Sequence, residues 1–236
     1  MRKLPEWYYN ELVQIGTDYT DKEEILNYDR KMQKIRNIGE EVKTMLRLID
    51  PRPDDRILEI GCGTGEFSIE LSRHCKEVLA LDISEGMLEY ARKKAKSRNR
   101  NNISFIKGGF LTYEADDELF DAVVSQLALH HLPDFWKLTA LKRINSMLKT
   151  AGRFYLRDVV FSSGIDDFDE LISKLLENIP EDVKDEMASE YILHIKEEFS
   201  TFDWVMEGLI ERAGFRIEES IYDNGFIASY LCIKEK

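Results

Sequence analysis

A glycine-rich turn is the part of this sequence best suited to bind a ligand. Gly61, Gly63 and Gly65 alternate with small residues directly after the apolar run 56–60, and a helical pattern follows them. Glycine lets a ligand approach the backbone closely, and the first amides of a helix are free to donate hydrogen bonds. A turn of this kind between a strand and a helix predicts a nucleotide-like ligand.

The same turn lacks both fingerprints of phosphate binding. The dinucleotide pattern G-x-G-x-x-G requires glycine where this chain has Glu66, and the P-loop pair of lysine and hydroxyl residue is absent. A pyrophosphate here would also face the carboxylates of Glu59 and Glu66. These residues therefore favour a ligand that is cationic near the turn.

A further acidic residue, Asp82, ends the next apolar run, 23 positions after Glu59 (82 − 59). In βαβ nucleoside sites, an acidic residue at an offset of about 20 positions binds the ribose hydroxyls. An adenosine that carries a cationic group in place of a diphosphate satisfies both conditions. S-adenosylmethionine is such a molecule.

The elements that must position these residues follow an alternating pattern. Helical stretches are predicted at about 65–75, 84–98 and 133–149, with Ser84 as the N-cap of the second and Gly152 after the third. Five apolar runs of strand length lie around them, at 56–60, 77–82, 103–107, 121–125 and 153–156. This alternation predicts a parallel sheet with helices on both faces.

The pattern changes after residue 160. Acidic, helix-periodic residues 166–198, divided by Pro180, predict two helices inserted after the fifth strand. The segment 200–203 predicts a capping box, with Asp in place of Glu, for one more helix that ends near Gly214. The turn 224–225, Asn-Gly, lies between two strand-like runs and predicts a terminal hairpin.

Four motifs, in order, resemble those of the class I S-adenosylmethionine-dependent methyltransferases. Residues 59–65 (E-x-G-x-G-x-G) resemble their first motif and 81–88 their second; 120–134 are similar to their fourth-strand motif, and 148–154 to the turn before their fifth strand. The resemblance covers most of the chain. It implies an α/β, Rossmann-like, doubly wound seven-stranded sheet with an antiparallel last strand. Residues 51–236 would form the methyltransferase domain, with a helical insertion at 162–199, and residues 1–50 a helical lid.

The resemblance also implies S-adenosyl-L-methionine as the cofactor. The glycine turn would line its methionyl portion, Glu59 would order its ammonium group, Asp82 would bind the ribose diol, and Ile83 and Met87 would pack on the adenine. The implied cofactor-binding residues are Tyr28, Glu59, Gly61, Cys62, Gly63, Gly65, Asp82, Ile83, Met87, Gly109, Phe110, Gln126 and Leu127.

The chain departs from the family at the third motif, residues 106–110. Many members carry an acidic residue where Gly109 stands, and its side chain accepts a hydrogen bond from the adenine amino group. Here only the backbone of Gly109 and Phe110 is left to bind the adenine edge, so packing would carry more of the affinity.

The implied reaction is an in-line methyl transfer, in which alignment supplies most of the rate and a base is needed only if the acceptor must lose a proton. The candidate catalytic residues are His130, His131 and Asp158, since imidazole has a pKa suited to proton transfer. For the histidines, a hydrogen bond at a helix start or a place in the pocket wall is the alternative. No metal is predicted, because the adjacent pair lacks the spacing of two ligands on one helix face.

Two segments have alternative interpretations. Tyr8, Tyr9 and Tyr28 form either a lid over the cofactor or an aromatic part of the core. The insertion 166–198 shapes the acceptor pocket, since it follows a strand at the carboxyl edge of the sheet, or it forms a homodimer interface.

Composition narrows the choice of acceptor. With 33 Lys and Arg against 45 Asp and Glu, the net charge of −12 favours a small-molecule acceptor and disfavours nucleic acid. The basic run 92–100 keeps RNA or protein as an alternative acceptor, and a protein that binds S-adenosylmethionine without transferring methyl is the third possibility. Three cysteines without C-x-x-C spacing, and no long apolar run, indicate a cytoplasmic protein that does not bind membranes.

Overall fold

The computed structural model describes residues 5–13, 22–115, 118–162, 164 and 166–235. The strands in this part of the chain are β1 (Arg56–Ile60), β2 (Glu77–Asp82), β3 (Ile103–Lys107), β4 (Phe120–Gln126), β5 (Leu148–Phe161), β6 (Thr201–Phe202), β7 (Phe215–Asp223) and β8 (Ile227–Lys234). The helices are α1 (Lys22–Ile35), α2 (Ile38–Ile49), α3 (Glu66–Leu71), α4 (Glu85–Ser97), α5 (Asp134–Met147), α6 (Phe168–Glu177), α7 (Lys184–Glu197) and α8 (Asp203–Arg212).

The strands form one mixed sheet in the order β3-β2-β1-β4-β5-β8-β7. The first five strands of this order run parallel to one another, whereas β8 is antiparallel to both β5 and β7. β1 and β4 are almost entirely buried, as expected of central strands covered on both faces. The predicted α/β architecture is confirmed, and the carboxyl ends of β1, β2, β4 and β5 meet at one edge of the sheet.

The helices between the parallel strands follow the predicted pattern with two differences. The helix predicted at about 65–75 covers only Glu66–Leu71, and turns follow it. Ser84 caps α4, since its hydroxyl accepts a hydrogen bond from Met87 N at 3.3 Å. The helix predicted over 133–149 ends earlier, at Met147, because Leu148 already pairs with Phe120 as the first residue of β5.

The two inserted helices, α6 and α7, lie on either side of Pro180 as predicted. The predicted capping box is wrong: α8 begins at Asp203, and its N-cap residue makes no side-chain cap hydrogen bond. The reason is that residues 201–202 pair with β5 as the short strand β6, while the Ser200 hydroxyl lies 2.7 Å from His194 Nε2. Extended backbone here replaces the first helical turn.

The terminal hairpin is confirmed. Asn224 and Gly225 both have positive φ, at +53° and +77°, which is the backbone of the tightest hairpin turns. The hairpin places β8 between β5 and β7, where six of its eight residues are buried.

The N-terminal segment is helical in α1 and α2, whereas residues 5–13 form turns. Asp29 fixes α1 to the core of the domain, because its carboxylate accepts from the Thr64 hydroxyl at 2.6 Å and pairs with Lys94 at 2.6 Å. Among the described residues, no helix combines the length and apolar character needed to cross a membrane.

Candidate functional site

The glycine turn after β1 is held in a backbone conformation that glycine adopts most readily. Gly61, Gly63 and Gly65 have φ values of +79°, +50° and +76°. Gly61 N and Cys62 N both donate to Leu81 O at 2.9 Å, so the turn is fastened to the end of β2. The parallel pairing of β1 with β2 therefore sets the position of the turn.

Asp82 joins this turn to the start of α4. Its Oδ2 accepts from Gly63 N and its Oδ1 from Ser84 N, both at 2.8 Å. Burial raises the pKa of this carboxyl, and the backbone donors act in the opposite direction. The side chain is thus fixed at the mouth of the turn by two amides.

A cavity lies beside Asp82 and opens between the glycine turn and the loop after β3. Seven of the predicted cofactor residues line it: Gly61, Gly63, Asp82, Ile83, Met87, Gly109 and Phe110. The remaining described residues of its wall are Glu11, Val13, Ile60, Gly108, Ala128, His131 and Leu132. The structure brings together the ends of β1, β2 and β3 with residues 5–13.

The other predicted cofactor residues lie outside this wall. Glu59 is buried beneath the turn and Cys62 points into the core, while a Cβ on Gly65 would lie 3.0 Å from Ala91 Cβ and 3.2 Å from the ring of Phe105. Tyr28 packs against the cluster that joins α1 to the inserted helices. Of the remaining two, Gln126 is the last residue of β4, and Leu127 follows it and lines a second cavity.

Glu59 accepts a hydrogen bond from the Ser68 hydroxyl in the buried interior. Burial raises its pKa to about 8, and the charge of Asp82 adds to the effect. Glu66 shows the reverse balance: burial opposes ionisation, but Arg98 and Lys94 outweigh it and lower its pKa. The two glutamates that flank the turn therefore differ in charge at neutral pH.

These opposite shifts predict opposite pH dependences. A carboxyl whose pKa is raised on folding takes up a proton, so its contribution to stability falls as pH rises from about 4.5 to about 8. We expect Glu59→Gln to gain stability relative to the unsubstituted protein between pH 5 and pH 8.5, by on the order of 2 kcal/mol. Urea unfolding at both pH values measures this. Glu66→Gln is the matched control and should show almost no pH-dependent change over the same interval, because a carboxyl with a lowered pKa alters stability only as pH falls below about 4.5; equal slopes for the two variants would contradict the assignment.

Glu11 is a residue of the cofactor cavity that sequence reasoning missed. Its Oε1 accepts from Leu111 N at 2.9 Å, from Thr112 N at 2.7 Å and from the Thr112 hydroxyl at 2.7 Å. A Cβ on Gly109 would lie 2.7 Å from Glu11 Oε2. The Glu11 carboxylate thus occupies the space beside Gly109 where an acidic side chain of the third motif would stand.

The second cavity, of about 620 Å³, adjoins the ends of β4 and β5. Its walls come from α1, α2, α6, α7 and the β7–β8 hairpin, and α6 contributes the apolar residues Ile172, Leu175 and Leu176. Leu127, His130, Arg157 and Glu198 provide part of its remaining surface. The inserted helices therefore form a wall of this cavity.

The three predicted catalytic residues lie where the two cavities meet. His131 lines the cofactor cavity and His130 lines the second cavity. Asp158 accepts from His130 N at 3.0 Å and also contacts His130 Nδ1. Glu198, which was not predicted, lies 3.2 Å from His130 Nε2.

In this group, the charge of one side chain shifts the pKa of the next. Burial opposes charge on His130, but Asp158 and Glu198 outweigh it and raise its pKa to about 9. Burial and the charge of His130 lower the pKa of His131 to about 4. Burial opposes ionisation of Asp158, yet His130 holds its pKa below the ordinary value. At neutral pH the His130–Asp158 pair is thus charged, whereas His131 is not.

A second polar network beside β4 was also missed. Gln126 Nε2 donates to Glu41 Oε2 at 2.6 Å, and Arg157 Nη2 lies 3.5 Å from Glu41 Oε1. Gln126 Oε1 is buried and has no hydrogen-bond partner among the described residues. It is an acceptor placed close to the second cavity.

The chemistry of the first cavity suits S-adenosylmethionine better than a dinucleotide. Its wall holds the carboxylates of Asp82 and Glu11 and, among the described lining residues, no lysine or arginine. Ile83 and Met87 supply apolar surface, and a Cβ on Gly63 would meet no atom within 4 Å, so the turn leaves open space. A cationic nucleoside without phosphates fits these residues.

Comparison with known proteins agrees with this chemistry. Residues 57–152 match the model of a methyltransferase domain family. The chain is 28% identical over 204 residues to a demethylmenaquinone methyltransferase of Staphylococcus carnosus, an alignment that covers 82% of each protein. It is 29% identical over 126 residues to the methyltransferase YcgJ of Bacillus subtilis, and there the alignment covers 53% of this chain and 49%, about half, of the relative.

A comparison with solved structures finds the same fold in a known methyltransferase. A solved structure of a SAM-dependent methyltransferase from Aquifex aeolicus superposes with a TM-score of 0.63 at 16% identity, covering 90% of this chain and 98% of the other. Residues 57–152 therefore belong to a methyltransferase domain. It is an enzyme domain whose cofactor is S-adenosylmethionine.

Proposed function

We propose that this protein transfers a methyl group from S-adenosylmethionine to a small-molecule acceptor by in-line displacement. The observation that carries this proposal is the cavity of about 620 Å³ beside the cofactor cavity. Its volume lies in the usual range for small-molecule sites, about 300–1,000 Å³. Since α6 and α7 form part of its wall, the inserted helices are better explained as parts of an acceptor pocket than as a dimer interface.

The cofactor contacts follow from the residues that line the first cavity. Asp82 would accept from the ribose hydroxyls, Ile83 and Met87 would pack on the adenine, and the backbone of Gly61 and Gly63 would face the methionyl portion. Glu59 would act from beneath the turn, by its position instead of direct contact. Residues 5–13 would form the part of the lid that closes over the adenine end.

Glu11 would supply the carboxylate that the third motif lacks. Three donors already occupy its Oε1, so Oε2 is the oxygen left to accept from the adenine amino group. This oxygen belongs to a residue of the cavity wall and lies beside Gly109. Adenine specificity would then come from a residue 98 positions away in sequence (109 − 11).

A change of this one oxygen should alter base preference. In Glu11→Gln, the amide oxygen can keep the three donors, and the amide nitrogen then replaces Oε2. We expect preference for S-adenosylhomocysteine over its inosine analogue to fall about 10-fold, because a donor now faces the 6-position. Calorimetric titration of the variant and of the unsubstituted protein with both ligands measures this preference. Glu114→Gln, a change in the same acidic environment but outside the cavity wall, is the control; an unchanged preference in Glu11→Gln would contradict the role.

The bound cofactor supplies a methyl group activated by its sulfonium. The protein has to align the acceptor with it and exclude water, and alignment alone contributes up to about 7–11 kcal/mol in favourable cases. The charged His130–Asp158 pair would fix the junction of the two cavities. Arg157 and Gln126 would contact the acceptor, and the uncharged His131 would contact it or accept its proton.

Nucleic acid is a poor alternative acceptor for a structural reason. Three cations of the basic run 92–100 already have carboxylate partners: Arg92 pairs with Glu85, and Lys94 and Arg98 pair with Glu66. The first pair lies within α4, and the two pairs with Glu66 join the end of α4 to the start of α3. The run therefore offers less free charge to a phosphate backbone than its sequence indicates.

The test is release of S-adenosylhomocysteine by the purified protein with three acceptor pools: small metabolites, total RNA and unfolded protein. Turnover confined to the small-metabolite pool is expected. Since demethylmenaquinone methyltransferases are among the relatives, a short-chain naphthoquinol is the first single compound to try. Turnover with RNA or protein would overturn the choice of acceptor. Tight binding of cofactor without turnover in any pool would favour the non-catalytic alternative.

A further inference from the structure

Two adjacent histidines and a distant glutamate form a compact group at the junction of the two cavities. One ligand atom from each of His130, His131 and Glu198 lies within 4.8 Å of the other two. The histidines belong to a short 3₁₀ turn after β4, and Glu198 follows α7. Phe199 N donates to His130 O at 2.9 Å and holds the two segments together.

The neighbouring side chains orient this group. Asp158 contacts His130 Nδ1, which leaves Nε2 directed at Glu198 Oε2, 3.2 Å away. His131 Nδ1 lies 4.0 Å from Glu198 Oε1. A carboxylate on the far nitrogen of an imidazole is the usual support of a metal-ligating histidine, because it fixes the tautomer and the ring orientation. Glu198 Oε1 thus faces His131, and Glu198 Oε2 faces both His130 and His194.

The distances are close to those of a metal site. Zinc binds imidazole nitrogen at about 2.0–2.1 Å and carboxylate oxygen at about 2.0–2.2 Å, so tetrahedral ligand atoms lie about 3.3 Å apart. His130 Nε2 and Glu198 Oε2 already lie at this separation. His131 Nδ1 and Glu198 Oε1 would need to come closer by less than about 1 Å. Two histidines and one carboxylate leave a coordination position open, as in catalytic and not structural metal sites.

The local charge favours a divalent cation. Asp158 and Glu198 are buried carboxylates, and the ion pairs of their side chains among the described residues are with histidines alone: His130 with Asp158, and His130, His131 and His194 with Glu198. One divalent ion with neutral imidazoles would balance the charge of the two carboxylates, in place of the proton that His130 holds. Buried charges that are not paired by a cation are costly.

The open position would lie between the two cavities, since His131 lines the first and both His130 and Glu198 line the second. We propose that His130, His131 and Glu198 bind one divalent transition-metal ion, with zinc as the first choice, and that this ion holds the oxygen or sulfur atom of the acceptor. The second part rests on the proposed function. The bound hydroxyl or thiol would lose its proton to water because a metal lowers its pKa, and His131 would be a ligand instead of a base.

Metal binding can be tested without any acceptor. Protein stripped with a chelator is titrated with Zn²⁺, and separately with Mn²⁺, against a chromophoric chelator of known affinity. We expect one equivalent of Zn²⁺ to bind, with affinity at least 100-fold lower in His131→Ala and Glu198→Gln, and 10- to 100-fold lower in Asp158→Asn, where only the support of His130 changes. His74→Ala, a change at an exposed histidine outside the group, should bind as the unsubstituted protein does.

Two outcomes would overturn the site: no stoichiometric binding of either ion, or equal binding by all four variants. Titration with S-adenosylhomocysteine checks that each variant is folded and keeps its cofactor cavity. A variant that loses zinc but still binds S-adenosylhomocysteine therefore tests the metal site independently of the proposed function. Methyl transfer that persists in stripped protein would refute the role of the ion toward the acceptor, whereas stoichiometric zinc in a protein that methylates nothing would leave the site standing and refute the reaction.

Discussion

Replacing Asp82 with alanine is expected to weaken binding of S-adenosylmethionine and S-adenosylhomocysteine about 30-fold or more. One half-buried carboxylate both accepts from Gly63 N and Ser84 N and lines the cofactor cavity. The variant loses the acceptor for the ribose diol and releases the turn at the same time. Hydrogen bonds to a charged group contribute about 1.5–3 kcal/mol each, and about 2 kcal/mol corresponds to a 30-fold change in affinity.

Calorimetric titration of both ligands measures this effect, and a ligand without the diol separates its two causes. The unsubstituted protein should prefer S-adenosylhomocysteine to its 2′-deoxy derivative, and Asp82→Ala should bind the two equally weakly. Asp121→Ala is the control, because Asp121 also accepts from a backbone amide, that of Arg56, but at the opposite end of the sheet. Binding by Asp82→Ala within 3-fold of the unsubstituted protein would refute the ribose contact.

A single methyl group on Gly61 is expected to close the cofactor cavity. Its Cβ would overlap the Cβ of Ala128, and the backbone has φ of +79°. We expect Gly61→Ala to lower the free energy of unfolding by about 2–4 kcal/mol and to abolish cofactor binding, since either the turn or residue 128 must move. Urea unfolding and titration with S-adenosylhomocysteine give the two readouts.

Gly63 provides the matched control, because it also has positive φ but a Cβ there would meet no atom within 4 Å. Gly63→Ala should cost about 1 kcal/mol through backbone strain alone. The double change Gly61→Ala with Ala128→Gly should recover cofactor binding in part, since it removes the overlapping atom. If Gly61→Ala and Gly63→Ala have equal effects, contact with Ala128 is not the cause.

The sequence predicted the parts of this protein that are encoded locally. The strand ends that carry the glycine turn and Asp82 follow from apolar runs and from residue types that fit one backbone conformation each. The hairpin at Asn224 and Gly225 was predictable for the same reason. In each case the deciding residues lie within a few positions of one another.

The remaining parts depend on contacts between distant segments. Glu11 reaches the loop after β3 from about 100 positions away, and Glu198 meets His130 from 68 positions away (198 − 130). Neither contact leaves a periodic signal, because only one residue of each segment takes part. The failed capping box has a related cause: the Ser200–Asp203 pattern favours a helix start, but pairing of residues 201–202 with β5 determines the backbone there.

The position of β8 in the sheet has a consequence for how the chain folds during synthesis. This strand follows all the others in sequence, yet it lies inside the sheet, between β5 and β7. Until it leaves the ribosome, β5 and β7 both present unpaired edges, and open edges of this kind are where chains associate wrongly. We therefore expect the nascent domain to be prone to association until β8 is inserted. Premature termination just before residue 227 would yield a product prone to aggregation.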